Sequence, residues 1–257
     1  MAARSIWVGA INFGMVSIPC KLYSATSDDK INLHQYHEAC GSRVKQPKWC
    51  EVCEKHIDAT EIVKGYEAGD TVVQLTEGEL KSLPLKSIKS LEVLEFVDPS
   101  QIDNRCMSKA YFAKAETPGD KAYELMMLGM ENTGLVAVAK LGYREREHLC
   151  ILRPYDGVIM LQTLLYHEQL RPYGEFKPKA FLITEKEKEL AVTLVKAMHN
   201  PVFELFAYHD AHRDALEQLI EAKLAGKELE MPEAPEEDIL DVAEALLATI
   251  NAVAAKA

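Results

Sequence analysis

The sequence predicts a mixed β/α protein: a β-barrel core with a small zinc-ribbon-like insertion, followed by a helical C-terminal arm. Three observations support this fold class. Short runs of alternating, β-branched or aromatic residues dominate residues 1–183. Histidine and cysteine pairs at zinc-binding spacing interrupt these runs within residues 34–56. From residue 184, helix-capping signals and helical spacing of apolar residues replace the strand pattern.

The strand pattern covers most of the first domain, residues 1–183. Thr76 and Glu79 form a capping box that opens a short helix, and residues 120–132 have helical spacing that Gly134 ends. Many short strands around one embedded helix favour a barrel or a sandwich. The predicted strands cover residues 5–11, 16–25, 31–36, 71–75, 88–97, 135–141, 148–152 and 158–165.

The remainder of the chain is predicted to be helical. Residues 184–227 form an arm of two helices, one opened by the capping box of Thr184 and Glu187 and one over residues 209–223. Residues 228–257 read as a Pro- and Glu-rich linker followed by a last helix from residue 239.

The charge of the chain is unevenly distributed. The 257 residues carry a formal net charge of −11, and their 48% hydrophobic content is typical of a globular protein. Residues 1–200 hold 25 Lys or Arg against 27 Asp or Glu, whereas residues 201–257 hold 4 against 13. The core can therefore present a basic face despite the acidic total. No run of 18 apolar residues is present, so no membrane partner is expected.

The strongest chemical signal is a pair of short metal-binding motifs. His37 and Cys40 are followed, after nine intervening residues, by Cys50 and Cys53. One histidine and three thiolates suit a closed, four-coordinate structural Zn²⁺ site. The alternatives are a loop of scattered polar residues and a redox CxxC motif, although no helical pattern follows Cys50. His34 and His56 are reserve ligands.

Catalytic signatures are missing from the sequence. It contains no phosphate-binding Gly-rich loop, no GxSxG and no HExxH motif. The sequence therefore predicts that the protein is not an enzyme.

Several segments together resemble the prokaryotic Ku family, the DNA end-binding proteins of non-homologous end joining. They occur in family order over about residues 4–227 and include the Cys/His motifs. The other matching stretches are RSIWVGAINFG at 4–14, VSIPCKLYSA at 16–25, EIVKGYE at 61–67, EFVDP at 95–99, REHL at 146–149, and 208–226, which ends in LIEAKLAG.

The resemblance implies a β-barrel core, a helical arm and a ring-shaped homodimer through which a double-stranded DNA end threads. It also implies an ATP-dependent DNA ligase as partner and a cytoplasmic, nucleoid-associated location. Contacts should go to phosphates rather than to bases. The candidate DNA-binding residues are Lys21, Arg43, Lys45, Lys48, Lys64, Lys109 and Arg146.

The chain departs from the family pattern at its C-terminus. Many family members end in a Lys-rich extension, whereas here only Lys256 is basic beyond Lys227. The DNA contacts of a basic tail therefore do not carry over to this chain. The acidic total charge favours an alternative function, a zinc-ribbon protein-interaction or transcription module without end specificity.

Overall fold

The computed structural model describes residues 4–27, 30–82, 90–144 and 146–227. These residues fall into two compact units, one ending at Pro172 and the other beginning at Tyr173. The first unit contains eleven strands among its described residues: β1 Trp7–Phe13, β2 Val16–Ser24, β3 Trp49–Cys50, β4 Lys55–His56, β5 Lys64–Ala68, β6 Thr71–Leu75, β7 Ser90–Val97, β8 Met107–Ala115, β9 Val136–Tyr143, β10 Arg146–Tyr155 and β11 Val158–Leu164. Its helices are α1 Glu77–Ser82 and α2 Asp120–Thr133.

Seven strands close into a barrel, in the order β1-β2-β8-β11-β10-β9-β7. All neighbouring pairs are antiparallel except β1 and β7, which close the barrel in parallel. Ile11 of β1 lies opposite both Ile18 of β2 and Leu91 of β7, and all three side chains are fully buried. Since neighbouring residues of a strand point to opposite faces, every second side chain enters the barrel. The predicted barrel is confirmed.

Helix α2 covers one end of the barrel. Met126 and Met130 of this helix belong to the buried core of the barrel. The Tyr123 hydroxyl donates to the carbonyl of Ala113 and accepts from the N–H of Ile159, both at 2.6 Å. The helix ends at Gly134, whose left-handed φ of 69° suits a residue without a Cβ atom. The helix is thereby fixed to β8 and β11, and a cavity lies at the opposite end of the barrel.

Two hairpins and a short helix lie between β2 and β7 in the sequence. Strands β3 and β4 form one two-stranded sheet, and β5 and β6 form another. The predicted strand over residues 31–36 is wrong, because only Tyr36 makes a bridge, to Arg43. Strands β5 and β8 have no counterpart among the predicted strands.

The second unit contains two described α-helices, α3 Glu185–Ala197 and α4 Ala211–Leu224. The capping box of Thr184 and Glu187 opens α3 as predicted, and Asp210 caps α4 by accepting two backbone N–H groups. The unit begins at Tyr173, whereas the sequence pattern placed the start of the arm at residue 184. The predicted helix from residue 239 lies outside the described residues. Within the described part of the chain, no helix is long and apolar enough to cross a membrane.

Candidate metal centre and nucleic-acid interface

The first half of the predicted zinc site is a tight turn from His37 to Ser42. The N–H groups of Cys40 and Gly41 donate to the His37 carbonyl, and the His37 N–H donates to the carbonyl of Ser42. Gly41 has a left-handed φ of 64°, which lets the chain reverse directly after Cys40. The turn places His37 Nδ1 3.1 Å from Cys40 Sγ.

The second half has the same form and joins β3 to β4. Cys50 is the last residue of β3, and Cys53 lies in the turn that precedes β4. Glu54, directly after Cys53, has a φ of 48°, so both turns place a left-handed residue after their second candidate ligand. The rings of Trp49 and His56 meet edge to face at 4.9 Å across the hairpin. Each candidate pair therefore sits on a well-defined turn.

Neighbouring groups shift the pKa values of the thiols in these turns. Hydrogen bonds from Ser42 and His37 lower the pKa of the Cys40 thiol. Hydrogen bonds from Cys53 lower the pKa of Cys50, and the neighbouring Cys50 raises the pKa of Cys53. In this arrangement Cys40 and Cys50 reach the metal-binding thiolate form more readily than an isolated cysteine does.

The four residues fit zinc by donor type and by pairing, but the two pairs do not form one cluster in this structure. Among the described residues, no group of three or more His, Cys, Asp or Glu side chains lies close enough together to hold a metal ion. Residues 34–56 are all described, and none is buried; Cys50 is half-buried and the others are exposed. An apolar core therefore cannot hold this segment together.

Two of the predicted DNA-binding residues border a single cavity at the open end of the barrel. Lys109 lies near the start of β8 and Arg146 opens β10. Both line a cavity of about 670 Å³, together with Arg144 in the turn between β9 and β10. The non-local pairing of the barrel strands brings these three cations to one mouth.

The other five predicted residues lie elsewhere. Lys21 of β2 is ion-paired with Glu116. The guanidinium of Arg43 is 3.1 Å from His34 Nδ1. Lys45 and Lys48 are exposed in the segment before β3. Lys64 is exposed at the start of the β5–β6 hairpin.

Sequence reasoning missed Arg144. The residue follows β9 with a φ of 50°, and its guanidinium lies over the ring of Tyr143, 5.0 Å from the ring centroid. The sequence did contain a signal, because Arg144 and Arg146 lie two residues apart at the hairpin turn between β9 and β10. Basic side chains at one such turn lie at the same end of the barrel. The predicted strand over residues 148–152 began two residues after Arg146, so the turn was not identified.

Residues 12–194 match the family model described as the Ku70/Ku80 beta-barrel domain. This match covers six of the seven barrel strands in full, the last two residues of β1, and more than half of the chain. The chain belongs to the Ku family.

Relatives named Non-homologous end joining protein Ku agree with this assignment. The one from Archaeoglobus fulgidus is 40% identical over 97% of this chain and 99% of its own length. The one from Bacillus subtilis is 36% identical over 96% of this chain and 82% of its own length. This Ku-family chain spans only 64% of the length of the relative from Symbiobacterium thermophilum, to which it is 36% identical.

Proposed function

We propose that this protein binds the ends of double-stranded DNA, whatever their sequence, in non-homologous end joining. The match of residues 12–194 to the Ku barrel domain carries this proposal. The exposed cations at the barrel mouth and in residues 43–48 support it, because phosphates are the part of DNA that is the same at every end.

A homodimeric ring gives this binding its end specificity. A closed ring can be threaded only from a free duplex end. Its specificity for ends therefore comes from topology and does not require contacts to the bases. Two such rings hold two ends for an ATP-dependent DNA ligase, and the protein itself supplies no catalytic step. The protein acts in the cytoplasm at the nucleoid.

In this proposal, a structural Zn²⁺ ion stabilises the fold of residues 34–56. His37, Cys40, Cys50 and Cys53 would hold it, and the ion would supply a rigid cross-link between the two turns without taking part in a reaction. The similarity of the two turns supports this role.

The test of end binding compares one plasmid in two forms, linear and covalently closed, in gel shifts. Binding should require the linear form, ignore the sequence at the end, and weaken steeply with salt because phosphate contacts release counterions. Equal affinity for the closed circle would contradict the proposal and favour the alternative of a zinc-ribbon module without end specificity.

The homodimer is tested in the second unit. Leu216, Leu219 and Ile220 lie on one face of α4 and are half-buried, whereas Gln218 between them is exposed. Leu219→Asp should produce monomers or insoluble protein, and Gln218→Asp should leave the dimer intact. Light scattering measures both, and a monodisperse wild-type monomer at micromolar concentration would overturn the dimer.

A further inference from the structure

We propose that the cavity at the open mouth of the barrel binds a nucleotide 5′-phosphate, with the phosphate on the basic rim and the base against the aromatic wall. The site shares its rim cations with the end-binding function proposed above, but it needs neither a ring nor a duplex and can therefore be tested separately. Its ligand has two possible sources, a free mononucleotide or the terminal nucleotide of a DNA strand.

The cavity lies at the end of the barrel that α2 does not cover. Trp7, the first residue of β1, lines the cavity, whereas Phe13, the last residue of β1, borders α2 at the other end. The Trp7 indole is 7% exposed and donates to the carbonyl of Gly142 at 2.9 Å. Leu22 and Leu141, both buried, also line it. The cavity therefore has a rigid apolar floor formed by the ends of three strands.

The volume of the cavity suits a small organic ligand. About 670 Å³ lies within the range of roughly 300–1,000 Å³ typical of ligand pockets. An inorganic anion alone would leave most of this apolar floor facing water. A ligand with both an apolar body and a charged group fits the site better.

The rim is basic. Lys109, Arg144 and Arg146 line the cavity from two strands and a turn, and all three are exposed. The acidic side chain among the described lining residues, Glu147, is ion-paired with Lys140 at 2.7 Å. His148 also lines the cavity. Three cations against one paired carboxylate favour an anionic group, and arginine can bind a phosphate through two parallel N–H groups.

Aromatic side chains stand beside these cations. Tyr111, Tyr143 and Tyr166 line the cavity, in addition to Trp7. The guanidinium of Arg144 already lies over the Tyr143 ring, which shows that a flat, cationic and aromatic surface is formed at the rim. A nucleobase stacks on such a surface whatever its identity, because every base has a π-face. Phosphate-binding cations next to a stacking surface identify a nucleotide as the ligand class.

The experiment titrates the full-length protein with adenosine 5′-monophosphate (AMP) and follows tryptophan fluorescence in a Trp49→Phe background. The chain has two tryptophans, so Trp7 on the cavity floor is then the reporter. AMP should bind saturably and about tenfold more tightly than adenosine or inorganic phosphate, because only AMP uses both parts of the site.

Two variants test the rim. Arg144→Asn removes the cation and keeps a residue that tolerates positive φ, and it should weaken AMP binding about tenfold. Lys109→Gln, on a strand without such a constraint, should act in the same direction. Lys114→Ala removes a positive charge from the same strand at a position that does not line the cavity, and should leave the affinity unchanged.

A second arm uses a DNA hairpin whose single blunt end carries either a 5′-phosphate or a 5′-hydroxyl. If AMP is silent but the 5′-phosphate tightens binding, and Arg144→Asn abolishes that difference, the terminal nucleotide is the ligand. If neither AMP nor the 5′-phosphate has an effect that depends on Arg144 and Lys109, the nucleotide site is refuted. Loss of all DNA binding would not alter the AMP result, so the two proposals fail separately.

Discussion

The barrel and the segment of residues 34–56 are stabilised in opposite ways. In the barrel, Ile11, Leu152 and Leu161 are completely buried, and the strands close a full cycle of backbone hydrogen bonds. In residues 34–56 no side chain is buried, and backbone hydrogen bonds hold two separate turns. The exposed segment keeps its nucleophilic side chains and candidate metal ligands accessible, whereas the barrel encloses similar groups where they cannot react.

This difference shows that a cysteine has no fixed role in this chain. Cys20 and Cys150 face the barrel interior and are fully buried, whereas Cys40 and Cys53 are exposed. Burial and partners, rather than residue type, decide which thiols can bind metal. The two regions also differ in the source of their stability. Hydrophobic burial stabilises the barrel, whereas it cannot stabilise residues 34–56.

The largest effect is expected from metal removal. Cys50→Ser, or a chelator, should release about one zinc ion per chain and disorder residues 34–56, since binding energies near 10 kcal/mol are typical of structural zinc. Elemental analysis measures the metal, and amide NMR spectra should lose dispersion in residues 34–56 while the barrel signals remain.

Cys106→Ser is the matched control for this experiment. Cys106 is half-buried just before β8 and lies outside the segment, so its loss should leave the zinc content unchanged. Zinc-free protein from a preparation without chelator would contradict the metal assignment.

The next effect is the difference in thiol reactivity. Burial raises the pKa of both Cys20 and Cys150 to about 12, so these thiols stay protonated between pH 7 and 10. Compared with an ordinary thiol, whose pKa is near 9, about a thousandfold less thiolate forms at pH 7 and about a hundredfold less at pH 10. Iodoacetamide on the metal-free protein should label Cys40, Cys50 and Cys53 and spare the barrel pair, as measured by mass spectrometry.

Rapid labelling of Cys20 or Cys150 in the folded protein would show that the barrel opens locally. Addition of guanidinium is the positive control, because all six cysteines become accessible on unfolding. The order in which the cysteines are alkylated is thus expected to follow their burial in the structure and not their sequence context.

A smaller effect is expected for apolar truncations. Leu152→Ala in the barrel should lower the free energy of unfolding by about 3 kcal/mol through lost burial and a residual cavity. Val52→Ala in the second turn, where the side chain is 94% exposed, should change it by less than about 0.5 kcal/mol. Guanidinium denaturation followed by circular dichroism measures both, and equal losses would break the comparison between the two regions.

Much of the barrel could be predicted because its strands show clear alternation. Val16–Ser24 and Val158–Leu164 contain regularly spaced aliphatic residues, and both were identified within one residue of their ends. Met107–Ala115 was missed, because its alanines and lysines have low strand propensity and only its position between β2 and β11 makes it a strand. Residues 31–36 have the propensity for a strand but lack a partner to form one.

The candidate sites were predictable only as far as they are local. The spacing of His37, Cys40, Cys50 and Cys53 indicates two turns, and both turns exist. The convergence of Lys109 with Arg146 depends on barrel closure across three strands, which no local pattern encodes. Arg144 was missed because the predicted strand began only at residue 148, so the turn that holds this residue was not identified. The ion pair between Lys21 and Glu116 is likewise a result of strand register.

Closure of the barrel also decides how other polypeptides can attach. A cyclic sheet has no edge strand, so another chain cannot add a strand to the barrel by β-augmentation. Within the described residues, open edges remain only on the two-stranded sheets, of which β5–β6 is the longer, with Tyr66, Val72 and Val73 exposed. Association through the barrel must therefore use side chains, and for the part of the chain that the structure describes, open strand edges for backbone pairing are confined to the hairpins.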